Sequence, residues 1–563
     1  MIYHCEDHTC NYWDEGEKLP ERCPQCGRKL LRANEADMTG DDWTALGNTL
    51  WDAEASDKKR MVDCFRKAAY LGSAWGVCNL GICMEQGNGV EADPVQAFWL
   101  YQQAVEMGSL NAVCCLGVCY QYGIGTAPDA KQAAELYCKA AEYGSPRGQM
   151  LLAHAFHDGI GVEADAAEAV YWVRAAAYQR YGEGMHRLGV CYEYGDGVEQ
   201  NWERAVHWFR EAAESGVSVA MADLGYCYEK GCGVEQSWEQ AFSWYRRSAE
   251  CGNPVSMSNL GLCYKRGYGV EQNWQEAIKW YEQGAQCGDL QSMHNLACCY
   301  ERGEGVEQNE ERALYWYRRG AEAGSDYCMY CLGWNYSNGE GVEQNMTEAI
   351  RWYTAAAEGG NADAMHDLGW HYDHGEGVEQ DMKKAICWYE RAAEQNHPAA
   401  MNSLGECYAM GRGVPRDLET AMEWYRRAAE LGEAMADYNM GWHLEQAGKL
   451  SEAYAHYRKA ADGNDDSAWW ALGRFYENGV VVAQDGKEAR RCYETGEKLG
   501  SVKCKMRLAR CKLLGIGGRR AKKAGLDLCR QALELAKESS EKEDYGYEAE
   551  MNLLRRTIAE NES

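Results

Sequence analysis

Four cysteines near the amino end carry the densest chemistry in the chain. Cys5-x4-Cys10 and Cys23-Pro24-Gln25-Cys26-Gly27 form two thiolate knuckles separated by 12 residues. Four thiolates complete a tetrahedral set for Zn2+, and Gly27 frees the backbone to turn amide donors toward a sulfur. Such a site is closed. With no open coordination position, a Zn2+ held by Cys5, Cys10, Cys23 and Cys26 is expected to be structural rather than catalytic; His4 and His8 beside the first knuckle are alternative nitrogen ligands. In so short a segment the metal supplies the folding free energy, on the order of 10 kcal/mol. Residues 1–35 hold five basic and seven acidic side chains, which gives no electrostatic support for DNA contact.

Other constellations are weaker. Asp367, His371 and His374 fall at i, i+4 and i+7 of one helical stretch, a spacing that suits a metal, but His371 occupies a core phase where a packed histidine is expected. Paired glycines recur through the chain, yet no Gly-Lys-Ser/Thr follows them, so they are not phosphate loops. No Ser-His-Asp set or carboxylate pair assembles from the sequence, and a non-enzyme is expected.

What positions these groups is a period. From Leu80-Gly81 to Leu404-Gly405 a Leu-Gly or Leu-Ala pair recurs every 36 residues, ten times without a slip. A fixed period in this range means a solenoid of supersecondary units that bury their apolar faces only against one another. In the unit around Leu224, the apolar residues Ala220, Leu224, Cys227 and Tyr228 draw one stripe along a first helix. Gly225 removes a side chain where another helix must come close; Gly231 and Gly233 stop the helix, with Val234 plugging the turn. A second helix follows with Ala241, Trp244, Tyr245 and Ser248 on its expected buried stripe and Gly252 as its cap.

The period, the glycine pairs (Gly87/Gly89 through Gly411/Gly413) and the aromatic pairs (Trp208-Phe209 through Trp424-Tyr425) resemble the Sel-one-like repeat, a tetratricopeptide-related helix-turn-helix unit. That resemblance covers about residues 40–535. It implies an all-α fold, a right-handed α/α superhelical solenoid, whose members serve mainly as adaptors binding proteins or peptides along a concave face. The four-cysteine segment is similar to a short rubredoxin-like zinc ribbon. Three regions are expected: a zinc ribbon at 1–35, about 14 units at 40–535, and a C-terminal capping helix or tail at 536–563. Leu46-Gly47 opens a unit without a glycine pair, and the step from Met440 to Leu472 shortens to 32. Atypical end units are the mark of caps.

Composition bounds the function. With 58 basic against 87 acidic side chains the net charge is -29, which disfavours a nucleic-acid groove along the array. The mean hydropathy of -0.60 and the lack of an apolar run near 18 residues predict a soluble chain with no membrane span. Of 27 cysteines, 23 lie in the array, and Cys83, Cys119, Cys191, Cys227, Cys263, Cys299 and Cys407 share one phase three residues after the repeat leucine. An odd number of thiols on a core stripe predicts free cysteines in a reducing cytoplasm. The same resemblance extends to cysteine-rich secreted members, some of them penicillin-binding or β-lactamase proteins, and so implies a β-lactamase-type hydrolase as a lesser alternative; those members carry a regular pair of cysteines in each unit, and this chain lacks the regular second one.

Partner contacts are expected on the first helix, two residues before and two after the repeat leucine. From the unit of Leu332 onward those positions are often aromatic: Tyr330, Trp334, His366, Trp370, Tyr438, Trp442 and Trp470. Aromatic anchors dominate interface energies, and solvated tryptophans require a reason. The stretch 503–530 holds ten Lys or Arg against Asp527 alone. A capping helix that offsets the acidic body explains it; the alternative is a nucleic-acid-linked regulator working through ribbon and basic end.

Overall fold

In the computed structural model the described residues are 2–5, 13–15, 30–32, 38–51, 55–542 and 547–562. They form three short strands and twenty-nine helices, and the chain separates into two compact units, Met1–Ser292 and Met293–Ser563. Three strands, β1 (Ile2–Cys5), β2 (Trp13–Glu15) and β3 (Leu30–Arg32), pair antiparallel in the order β2-β1-β3. Tyr3 faces Asp14 across one pair and Cys5 faces Leu30 across the other. Cys5 therefore ends a strand, whereas Cys10, Cys23 and Cys26 lie outside the described residues.

Within each unit, helices of thirteen residues alternate with short turns, as in Ser218–Lys230 followed by Trp238–Glu250. The first helix stops at Gly231, whose φ of 74° is open to glycine at no Cβ cost and whose amide donates to the Cys227 carbonyl. Ser237 starts the second helix by accepting from the Gln240 amide, satisfying one of the orphan donors of the first turn. The second glycine of each pair has a different task. A Cβ on Gly233 would collide with the Trp202 carbonyl, at the start of the second helix of the preceding hairpin. The glycine pair thus ends one helix and lets the turn seat on the previous hairpin.

The glycine of each Leu-Gly pair makes room for a ring. A Cβ on Gly225 would stand 2.7 Å from the Tyr245 ring, and Gly81, Gly117 and Gly405 meet Tyr101, Tyr137 and Tyr425 in the same way. Those tyrosines are buried, and their hydroxyls are satisfied: Tyr245 donates to Glu229 at 2.8 Å and Tyr101 to Glu85 at 2.6 Å. Trp244 differs from the expectation of a core ring. It is half-buried, with the Arg247 guanidinium 4.4 Å above its face, and the fully buried second-helix positions are Ala241, Phe242, Tyr245, Ser248 and Ala249. Trp388 and Trp424 repeat the arrangement under Arg391 and Arg427. The indole is too wide for the tight glycine-lined slot that Tyr245 fills, so it spreads at the surface beneath a cation.

The cysteines three residues after the repeat leucine are buried as expected, and every cysteine from Cys64 to Cys529 is a free thiol. At the carboxyl end, helix Lys522–Lys542 runs through residue 536, with Cys529, Ala532 and Ala536 buried together. Helix Glu548–Glu562 packs against it and against Val502–Leu514.

Candidate functional site

On each first helix the core stripe uses the repeat leucine, and the opposite stripe runs through positions five before, one and two before, and two after it. In the second compact unit the position two after the leucine stays wet: Trp334 is 38% exposed, Trp370 37% and Trp442 43%. Trp370 stacks on His374 at 4.3 Å, whose Nδ1 meets the Trp370 carbonyl at 2.9 Å. The stack holds the indole without covering its outer face.

The positions two before the leucine behave otherwise. Tyr330 donates to Asp367 Oδ2 at 3.0 Å, and Asp367 Oδ1 meets His366 Nδ1 at the same distance. His366 lies against His397 with ring centroids 5.2 Å apart, and its Nε2 is 3.5 Å from Ser403 Oγ. Tyr438 packs 5.6 Å from Tyr457, and burial pushes its phenol up to about 12. Trp470 lies between the Arg474 guanidinium at 4.6 Å and the Lys503 ammonium at 5.2 Å. These four rings are half-buried between neighbouring helices. The sequence-predicted set thus divides by phase: three rings open to solvent, four engaged with neighbouring side chains.

The engaged contacts form a ladder. A residue two before one repeat leucine meets the residue one before the next, thirty-seven positions on: His186 with Asp223 at 2.6 Å, Tyr330 with Asp367 at 3.0 Å, Asn402 with Asn439 at 3.0 Å. Sequence reading missed it, although the signal was present as one more than the period.

It also missed the position five before the leucine. There Tyr327 is 54% exposed and Met435 49%, on the same helical stripe as Trp334 and Trp442, because i and i+7 coincide on a helix. In the first unit the same position holds Trp75, Val219 and Val255, all exposed.

The proposed triple Asp367, His371, His374 does not converge. His371 is buried with its Nδ1 3.1 Å from the Glu376 carbonyl, and burial lowers its pKa below the usual histidine value. Among the described residues no group of three or more His, Cys, Asp or Glu is arranged to hold a metal. The basic stretch is partly consumed internally: Arg507 grips both oxygens of Glu550 at 2.7 and 2.8 Å, and Arg507 and Arg510 both pair with Glu477.

The residues that end, cap and space these hairpins are those of a known repeat. The model of the Sel1 repeat matches twelve consecutive segments from residues 76–109 to residues 468–501, most of the chain. This chain belongs to the Sel1 repeat family. Among solved structures, the Sel1-like repeat protein c5321 of uropathogenic Escherichia coli, described as a protective antigen, is 29% identical with a TM-score of 0.53, covering 82% of this chain and 94% of that one. A Sel1 repeat protein from Oxalobacter formigenes is 28% identical at a TM-score of 0.43, covering 56% and 93%. The immunity protein Pa5087 of Pseudomonas aeruginosa is 20% identical at a TM-score of 0.30, covering 38% and 81%. A comparison with curated protein sequences gave no match. The Sel1 match begins at residue 76 and ends at residue 501, so the hairpin Gly40–Tyr70 and the last three helices are atypical of the family. No helix among the described residues is long and apolar enough to cross a membrane.

Proposed function

We propose that the chain is a scaffold that binds a protein or peptide partner along the outward stripe of its first helices, centred on helices Asp326–Asn338, Ala362–His374 and Ala434–Gln446. The observation that carries this reading is the exposure of Trp334, Trp370 and Trp442 at one repeat phase, 37% to 43% of each ring's residue remaining in solvent. An indole restrained by a stacked neighbour, as Trp370 is by His374, loses little side-chain entropy on binding, which is how aromatic anchors yield affinity. Tyr327 and Met435 extend the apolar track along the same stripe. An extended or helical peptide fits such a track.

The ladder supports the reading in a second way. Tyr330 and His366 tie neighbouring first helices together, so the exposed rings stand on a braced surface rather than on loose helices. The amino-terminal cysteines are read as a structural Zn2+ site on the strength of their ligand chemistry, and the free thiols of the array favour a reducing, cytoplasmic compartment. A nucleic-acid role for the basic end gains no support from Arg507 and Arg510, whose charges are spent on Glu477 and Glu550. The test is affinity capture with the intact chain against the triple variant Trp334→Ala, Trp370→Ala, Trp442→Ala. Proteins enriched by the first and lost by the second support the reading; identical enrichment by both overturns it.

A further inference from the structure

One rung of the ladder in the first unit is made of sulfur. Cys78, two before Leu80, and Cys115, one before Leu116, stand at the same separation as His186 and Asp223, on first helices Ala74–Gln86 and Leu110–Tyr122 that touch each other. Both sulfurs belong to one buried cluster of the core. Two further side chains close a ring around them. Asn111 Nδ2 donates to Cys78 Sγ at 3.7 Å, and a single Arg147 nitrogen, Nη1, reaches both Asn111 Oδ1 at 2.8 Å and Cys115 Sγ at 3.6 Å. The neighbouring thiol of Cys114 is turned to Ser145 Oγ at 3.8 Å instead.

This arrangement gives the two sulfurs different characters. The Arg147 guanidinium at Cys115 Sγ favours a negative sulfur there, and the pKa of Cys115 is drawn down by the Cys78 thiol and then by Arg147 against the opposing effect of burial. Cys78, beside that sulfur, is driven upward. A thiol that loses its proton more readily, beside one that holds its proton, is the pairing of attacking and resolving cysteines. Both sulfurs are almost covered, but Arg147, which closes the ring, is exposed at its rim.

From this geometry we propose that Cys78 and Cys115 are a reversible dithiol, with Cys115 the attacking sulfur, that reacts with small disulfides of the glutathione type to form a bond between two adjacent repeats. The Cys115 thiolate attacks one sulfur of the small disulfide, whose other half leaves as a thiolate. The Cys78 thiol then gives its proton to the departing thiolate and attacks Cys115 Sγ, releasing the second half. The balance is one dithiol and one small disulfide converted to one protein disulfide and two small thiols. Because the bond staples one first helix to the next on the outward stripe, it locks that part of the ladder covalently.

The experiment uses the full chain incubated with oxidised glutathione, residual thiols blocked with iodoacetamide, and peptides read by mass spectrometry. The expected first product is the Cys78–Cys115 cross-linked peptide. Cys78→Ser, a near-isosteric change, is expected to trap glutathione on Cys115, and Arg147→Gln to slow the reaction roughly tenfold because the charge that favours the Cys115 thiolate is lost. Because the cross-link is read in the unaltered chain, the outcome does not depend on either variant folding. Glutathione spread over the exposed Cys251, Cys287 and Cys387 with no Cys78–Cys115 peptide overturns the proposal, as does an Arg147→Gln rate equal to that of the unaltered chain.

Discussion

Tyr330 and Asp367 are thirty-seven residues apart and 3.0 Å apart, the phenol of one repeat donating to the carboxylate of the next. Burial beside that carboxylate pushes the phenol well above its ordinary value, so the donor keeps its proton at any physiological pH. The contact fixes register between neighbouring first helices, because a slip of one residue would take the phenol away from its acceptor.

Removing the hydroxyl therefore tests the ladder. Tyr330→Phe is expected to cost about 0.5–1.5 kcal/mol, and Asp367→Ala somewhat more because it strands both Tyr330 and His366. In a double-mutant cycle by denaturant unfolding, coupling near zero between the two sites would show that the bond does not bridge the repeats.

A second prediction concerns metal. Purified chain is expected to carry about one zinc, and to lose it when Cys23 and Cys26 are replaced by serine, while the helical array keeps its circular dichroism because it has its own core. Metal-free chain of full helicity whose amino-terminal residues are already protected from exchange would defeat the assignment.

Much of the array was legible because each element answers a local demand. The repeat leucines, the positive-φ glycines that stop each first helix and the buried cysteines follow from period and backbone chemistry alone, and they stand where expected. The division between Trp370 and Tyr330 was not legible, since both lie off the core stripe by helical spacing and only the offset between adjacent hairpins decides which one meets a neighbour. The placing of Trp244 failed for a related reason: apolar character predicts burial, but the slot opposite Gly225 admits Tyr245 and leaves the larger indole outside under Arg247.

Acid should loosen the array. Burial lowers the pKa of His154, His371 and His443, so their folded values lie below the unfolded histidine value near 6.5. The unfolded chain then binds more protons in that window, and the stability these residues contribute is present above about 6.5 and lost as pH falls through it toward the folded values. Asp465 works the other way: burial raises it to about 6, so its cost to the fold is relieved as pH drops below that. Changing His371 to Cys, the residue that Cys227 and Cys407 represent at the same phase, is expected to raise the melting temperature at pH 5.5 and to flatten its fall between pH 7.5 and 5.5. An unchanged pH profile would remove His371 from the account.

The unit that opens at Leu472 departs from the others in its backbone. Val481 has φ 63° at the position where Gly233 and Gly269 stand in regular units, a conformation a β-branched residue adopts at a cost of order 1–3 kcal/mol. Val481→Gly is expected to stabilise the chain by roughly 1 kcal/mol, after allowing for the added entropy of the unfolded glycine. Thermal unfolding at a fixed scan rate reads the sign directly, and destabilisation would mean that the valine side chain contributes more packing than strain.

The central claim is that the exposed tryptophans bind while the buried tyrosines hold the fold, and the most direct measurement selects peptides from a displayed library on the intact chain and compares their affinity for two variants. Trp370→Ala is expected to weaken the selected peptide by at least about 30-fold, the scale of a hot-spot residue, with stability changed by less than about 1 kcal/mol. Tyr245→Ala, which empties the slot beside Gly225, is expected to cost about 3–5 kcal/mol of stability. A Trp370→Ala chain that binds the peptide as tightly as the unaltered one, or that loses as much stability as Tyr245→Ala, would contradict the account.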